Sequence, residues 1–271
     1  MVRVADASVI AVPAQQTVKA TLVACGMRRG GSTLQFQLIG DILKTGEVLF
    51  ESEWISDLQD TDLAATESNS VVRVIKTHSI PKCSPASLSA EHVKCFYICR
   101  DPRDALVSYL AKYESAYSDE LAGRFFNMVH GEFKFWSSLA NTHVARYETV
   151  VASLAAEVAS SAREMGICLG ESQVGEIAKS RSLENQKKRI EGFDWGTDAI
   201  RIGKDLIDPG TQLHSNHIRT GGSGGWRTEL TADAVLFLET RHGQCILDMG
   251  YVLTTSRWSR LFYRFAKLMA K

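Results

Sequence analysis

Long hydrophobic runs are missing from this chain of 271 residues: no apolar segment approaches the roughly 20 residues that a membrane-spanning helix needs. A charge excess is missing too. Lysine plus arginine total 31 and so do aspartate plus glutamate, so no global basic field points to DNA or RNA, and any anion site has to be local. The six cysteines (Cys25, Cys83, Cys95, Cys99, Cys168, Cys245) include no C-x-x-C pair, which reads as reduced, buried thiols rather than a disulfide frame or a zinc site. A leader peptide pattern is also lacking. "SVIAVPA" is short, follows Asp6 and contains Pro13, and Arg3 alone supplies the charge of an n-region, so a cytoplasmic protein is expected. Repeats, low-complexity tracts and linkers are absent. One domain is therefore expected over 1–271, with 1–17 as a flexible lead-in and 255–271 as an amphipathic helix.

What is present suits a large packed core: 45% of the residues are hydrophobic and 23% charged. "VKATLVACG", "VVRVIKTH" and "VKCFYIC" read as buried strands, with "HVARYETV" as a further short one. Helical patterns follow them. Leu34, Leu38, Ile42 and Leu43 recur at helical spacing with Gly46 as C-cap, Pro102 fits the first turn of another helix, and further helices are expected over 119–139, 152–165 and 231–248. The glycine-rich stretch 194–225 reads as loops. Strands alternating with helices predict an α/β fold with a central, mostly parallel sheet flanked by helices.

The segment "GMRRGGSTLQFQL" follows the first strand and opens the first helix. Unpaired N–H groups at a helix start carry the positive end of its dipole, so Gly30, Gly31, Ser32 and Thr33 can wrap an oxyanion and Arg29 adds a full charge. This is the shape of a P-loop. It lacks the Gly-Lys-Ser/Thr ending of a magnesium–triphosphate site, and a glycine turn of purely structural use would look similar.

Three further stretches, "VIKTHSIP", "CRDPRDALVSYL" and "IRTGGSGGWRTELT", follow in order, and together with "RRGGSTL" the chain from Val18 to Thr231 resembles the sulfotransferases that use 3'-phosphoadenosine 5'-phosphosulfate (PAPS). The resemblance implies a 5'-phosphosulfate loop at Arg29, Gly30, Gly31, Ser32 and Thr33, with arginine where the family has lysine. It implies a 3'-phosphate site at Arg100 and Ser108, and a second loop at Arg219, Thr220 and Gly221 followed by Trp226. Tyr147 matches a tyrosine at the adenine edge, and Ser182 a nucleoside contact. Lys76, Thr77 and His78 match the family's Lys-Thr-His, which implies His78 as general base, with Lys76 and Arg29 stabilising the leaving phosphate oxygen. The implied activity is sulfuryl transfer from PAPS to a hydroxyl acceptor, a small alcohol or phenol, a glycan or a lipid headgroup, leaving 3'-phosphoadenosine 5'-phosphate (PAP) and needing no metal.

The match departs from the family at Leu34 and Leu183, where aromatic residues pack the adenine, and at Leu236, where the dimer motif has glutamate; oligomeric state stays open. The acceptor pocket is expected over 47–70 and 112–130, with Phe50, Trp54, Tyr113, Tyr117, Phe125 and Phe126 as candidates, although helical spacing points Phe125, Phe126, Phe133 and Trp136 to the core. "RDPRD" reads alternatively as a solvated helix start. The other histidines (His92, His130, His143, His214, His217, His242) carry no motif and read as structural. The last helix can bury its apolar stripe on the domain, the favoured expectation, or lay it on an anionic membrane. Rival functions are a small-molecule kinase on a related phosphate-binding fold and a non-catalytic nucleotide-binding protein.

Overall fold

The computed structural model describes residues 21–64, 71–202, 205–209, 211–215, 218 and 221–269. Five strands form a parallel sheet: β1 (Thr21–Gly26), β2 (Phe50–Trp54), β3 (Val72–Thr77), β4 (Val93–Cys99) and β5 (Thr142–Arg146), in spatial order β2-β3-β1-β4-β5. The connecting helices are α1 (Ser32–Thr45), α2 (Pro85–Leu88), α3 (Pro102–Lys112) and α4 (Asp119–Ser138). After β5 come α5 (Tyr147–Ala152), α6 (Leu154–Met165), α7 (Glu171–Ser180) and α8 (Leu183–Gly192). An antiparallel hairpin, β6 (Ile200–Ile202) and β7 (Asp205–Ile207), precedes α9 (Trp226–Glu229), α10 (Ala232–Arg241), α11 (Gly243–Asp248) and α12 (Arg257–Met269).

Strand β1 is central and all six of its residues are buried, as a strand covered on both faces requires. Alternate side chains sort to opposite faces. Val23, Cys25, Ile75, Cys95 and Tyr97 pack with Phe125, Phe126 and Trp136 of α4. Leu22, Ala24, Val74, Phe96 and Ile98 meet Leu38, Ile39 and Ile42 of α1 and Val158 of α6. Five of the six cysteines are buried thiols in or beside these cores; Cys168 is exposed, against expectation.

Several elements differ from the pattern reading. Strand β2 escapes it because "FESEW" lies at the sheet edge with four of its five residues exposed, so little of it needs to be apolar. The strand expected through "RYETV" ends at Arg146, and Tyr147 opens α5. Within the expected loops of 194–225 the β6–β7 hairpin forms, with strands of three residues that are too short to print a period. The expected helix over 231–248 breaks at His242, between α10 and α11.

Candidate active site

Every strand of the sheet delivers a residue at or just beyond its carboxyl end to one cavity of about 600 Å³. Trp54 comes from β2, Lys76 and His78 from β3, the loop after Gly26 from β1, Arg100 from β4 and Tyr147 from β5. The parallel register produces this convergence: Cys25 pairs with Thr77 on one side of β1, and Gly26 with Ile98 on the other. Such a crevice, where the strand order reverses, is where open α/β sheets bind ligands.

The loop turns tightly into α1. Arg29 and Gly31 both take left-handed backbone, φ 66° and 98°, and a Cβ on Gly31 would lie 2.6 Å from the Tyr147 ring. Helix α1 starts with no side-chain cap and no acidic residue in its first turn, whereas Asp101 caps α3 and Ser118 caps α4. The leading N–H groups of α1 therefore have no side-chain cap, the arrangement in which a helix start can accept an anion. Gly30 is not in the cavity wall; it shapes the turn, donating its N–H to the Met27 carbonyl at 2.7 Å.

Lys76 is buried and donates from Nζ to Thr33 Oγ1 at 2.9 Å, joining β3 to the loop. Burial lowers its ammonium to about 7. His78 Nδ1 lies 2.9 Å from the Gly26 carbonyl. A carbonyl only accepts, so Nδ1 carries the proton and Nε2 the lone pair. Burial pushes the imidazole down to about 4; the Gly26 bond opposes this, and the charges of Lys76, Arg28 and Arg29 add to it.

Arg29 Nε donates to Ser108 Oγ at 3.0 Å, and Ser108 lines the cavity together with Arg100, the residue with which it was expected. Arg100 donates from Nη2 to the Gly222 carbonyl at 2.6 Å and stacks 4.7 Å over the Tyr147 ring, while the Tyr147 hydroxyl donates to the Gly221 carbonyl at 3.0 Å. The Arg100 Nε is shielded from solvent and has no acceptor among the described residues. That orphaned donor, the uncapped helix and the left-handed glycine fit a bound polyanion.

"RDPRD" is not a solvated helix start. Arg103 is 1% exposed, forks onto Asp101 at 2.8 and 3.0 Å, reaches Glu239 at 2.6 Å and stacks 3.9 Å over Trp226. Asp104 accepts from the N–H groups of Gly224 at 2.5 Å and Trp226 at 2.9 Å, which pins the glycine loop to α3. Gly221 lines the cavity at φ 72°, while Arg219 and Thr220 lie outside the described residues. Ser182 does not reach the cavity: its hydroxyl caps α8 by accepting from Asn185 N, and its neighbours Arg181 and Leu183 line the wall in its place. Leu34 lines it too.

Of the acceptor-pocket candidates, Trp54 and Tyr113 reach the cavity, whereas Phe125 and Phe126 are core and Phe50 and Tyr117 pack on the cores. Much of that wall comes from a region read as loop: Ile200, Ile207, Leu213 and His214. His214, read as structural, faces the cavity with Nδ1 3.4 Å from Asp205, which also pairs with Lys112. Burial lowers its pKa, with Lys112 adding to the shift and Asp205 opposing it. No motif marked these residues. Glu132 was missed as well; it is buried in α4, its Oε2 has no partner among the described residues, and burial raises its carboxyl to about 7 against the pull of Arg28.

A parallel sheet with a phosphate-type loop after its central strand, facing a buried lysine and histidine, defines an α/β group-transfer architecture. The sequence profile of the sulfotransferase domain matches residues 20–244, and the chain belongs to that family. Curated relatives include sulfotransferase 1A1 of Rattus norvegicus, 25% identical over 205 residues that cover 70% of this chain and 68% of that protein. Sulfotransferase 1C2 of Homo sapiens is 21% identical over 240 residues, covering 78% and 77%. Solved structures share the fold. Mouse sulfotransferase SULT7A1 complexed with PAP superposes with TM-score 0.55 at 15% identity, over 86% of this chain and 90% of that one. Retinol dehydratase in complex with androsterone and the inactive cofactor PAP gives 0.54 at 17%, over 88% and 83%.

Proposed function

We propose that this protein transfers a sulfuryl group from PAPS to a hydroxyl of a largely apolar acceptor, with His78 as general base. The observation that carries the reading is the meeting of three groups in one cavity: the uncapped start of α1, Lys76 bonded to Thr33, and a histidine whose Nδ1 is committed to Gly26. PAPS, when bound, supplies the sulfuryl group and a bisphosphate leaving group.

The chain's own groups divide the remaining work. The N–H groups of Ser32 and Thr33, with Lys76 and Arg29, hold the 5' anion and stabilise charge at the leaving oxygen. Arg100, with the Gly221 loop, holds the 3'-phosphate, and Ser108 acts with them through Arg29, to which it is bonded. Tyr147, Leu34 and Leu183 flank the nucleoside. His78 is unprotonated at neutral pH because its imidazole titrates near 4, so Nε2 can take the proton of the acceptor hydroxyl as attack begins.

Trp54, Tyr109, Tyr113, Ile200, Ile207 and Leu213 give the acceptor side an aromatic and aliphatic wall, which favours an alcohol or phenol with a ring or hydrocarbon body over a bare sugar. Retinol dehydratase, which shares the fold and has been solved in complex with androsterone and, separately, with retinol, supports the same class. A thermal-shift comparison of PAP with magnesium–ATP, followed by labelled-sulfate transfer to a panel of phenols, aliphatic alcohols and sugars, tests the reading. PAP should stabilise the protein and the apolar hydroxyl compounds should accept label. Stabilisation by magnesium–ATP alone would favour the kinase reading, and PAP binding without transfer to any hydroxyl would favour a non-catalytic binder.

A further inference from the structure

Helix α12 turns its apolar face away from the protein. Trp258, Phe262, Phe265 and Met269 are 69%, 68%, 58% and 89% exposed, and Leu261 is exposed beside them. These positions fall on one stripe of the helix. The other side holds α12 to the domain: Arg260 donates to the carbonyl and hydroxyl of Thr255, Arg264 donates to the Thr240 carbonyl at the end of α10 at 3.1 Å, and Tyr263 is half-buried. The expected packing of the apolar stripe on the domain is therefore not what forms.

Charge says what covers that stripe. From residue 249 to the end the chain has five lysines and arginines and no aspartate or glutamate, within a protein of zero net charge. Arg257 and Arg264 are exposed on α12 itself, and exposed Arg241 adjoins Thr240, to which Arg264 is bonded. Tryptophan and phenylalanine on one face with arginines along the flank is the composition of a helix lying in an anionic lipid interface. At 13 residues and about 1.5 Å per residue the helix is about 20 Å long, too short to cross about 30 Å of hydrocarbon. Among the described residues no helix is long and apolar enough to cross a membrane.

We propose that α12 seats the protein on anionic membrane surfaces, with Trp258, Phe262, Phe265 and Met269 entering the headgroup–acyl boundary and the exposed Arg257 on the flank of that stripe beside lipid phosphates. The proposal is independent of the chemistry in the cavity. The full chain is sedimented with vesicles of phosphatidylcholine alone and of phosphatidylcholine mixed with phosphatidylglycerol, alongside the double variant Phe262→Ser, Phe265→Ser. Circular dichroism checks that the variant is folded, and light scattering reports the oligomeric state.

The wild type should pellet with the anionic vesicles, stay in solution with the neutral ones and be released by salt. The double variant should bind at least about tenfold more weakly. The idea is overturned if the wild type stays in the supernatant, or if the double variant pellets equally well. It is equally overturned if the wild type is a dimer that the two substitutions split while neither form binds vesicles, since a second copy would then cover the stripe.

Discussion

Lys76 Nζ lies 2.9 Å from Thr33 Oγ1, so a buried ammonium is held against the first turn of α1. With its pKa lowered to about 7 by burial, part of the population is uncharged at neutral pH. A polyanion at the loop favours the charged form, so binding takes up a proton. Affinity for PAP should therefore fall as pH rises above about 7, by up to about tenfold per pH unit until the titration of the complex is reached. Lys76→Met should weaken binding and flatten this dependence, as measured by calorimetry from neutral to mildly alkaline pH. A wild-type affinity that is level or rising with pH would contradict the role given to Lys76.

Gly31→Ala tests the loop. Its φ of 98° is costly for any residue with a Cβ, and the added carbon would press into the Tyr147 ring, which carries both Arg100 and the contact to Gly221. A stability loss of about 1–3 kcal/mol is expected by chemical denaturation. PAP affinity of the folded fraction should drop about tenfold or more, since one shift loosens the loop, Arg100 and the Gly221 segment together.

Much of this site could be read from the chain because its parts are local. The loop from Arg29 to Thr33, the Lys76-Thr77-His78 run and Arg100 each sit directly at or after a strand whose apolar run is visible, and a parallel register gathers strand ends without further information. What escaped depends on distance along the chain. Arg103 looks like a surface charge until Glu239 and Trp226, more than a hundred residues later, enclose it. The acceptor wall at Ile200, Ile207 and His214 comes from a hairpin too short to show alternation. For α12 the period was legible, but not which face would turn outward, because Arg260 and Arg264 find backbone and hydroxyl acceptors that no pattern announces.

Arg103→Met probes that enclosed ion pair. The substitution leaves Asp101 and Glu239 buried without their shared cation, although Thr254 and Thr255 still donate to Glu239. A loss of about 3 kcal/mol or more in unfolding free energy is expected. Because Arg103 does not line the cavity, the folded fraction should keep its PAP affinity within about threefold.

Glu132→Gln should be a stabilising change at one end of the pH scale. The Glu132 carboxyl is raised by burial from 4.5 to about 7, so the unfolded chain loses its proton first as pH climbs. Stability from this group is present in full below about 4.5 and is lost as pH rises through about 7. The glutamine variant should match the wild type below about pH 4.5 and exceed it above neutrality by an amount on the order of 3 kcal/mol, read from denaturation curves at several pH values.

The most direct test of the account compares labelled-sulfate transfer from PAPS by wild type and His78→Ala, with PAP binding measured on the same preparations. Binding should agree within about threefold while transfer falls by about two to four orders of magnitude. Transfer at the wild-type rate by His78→Ala, or a wild-type protein that does not bind PAP, would contradict it.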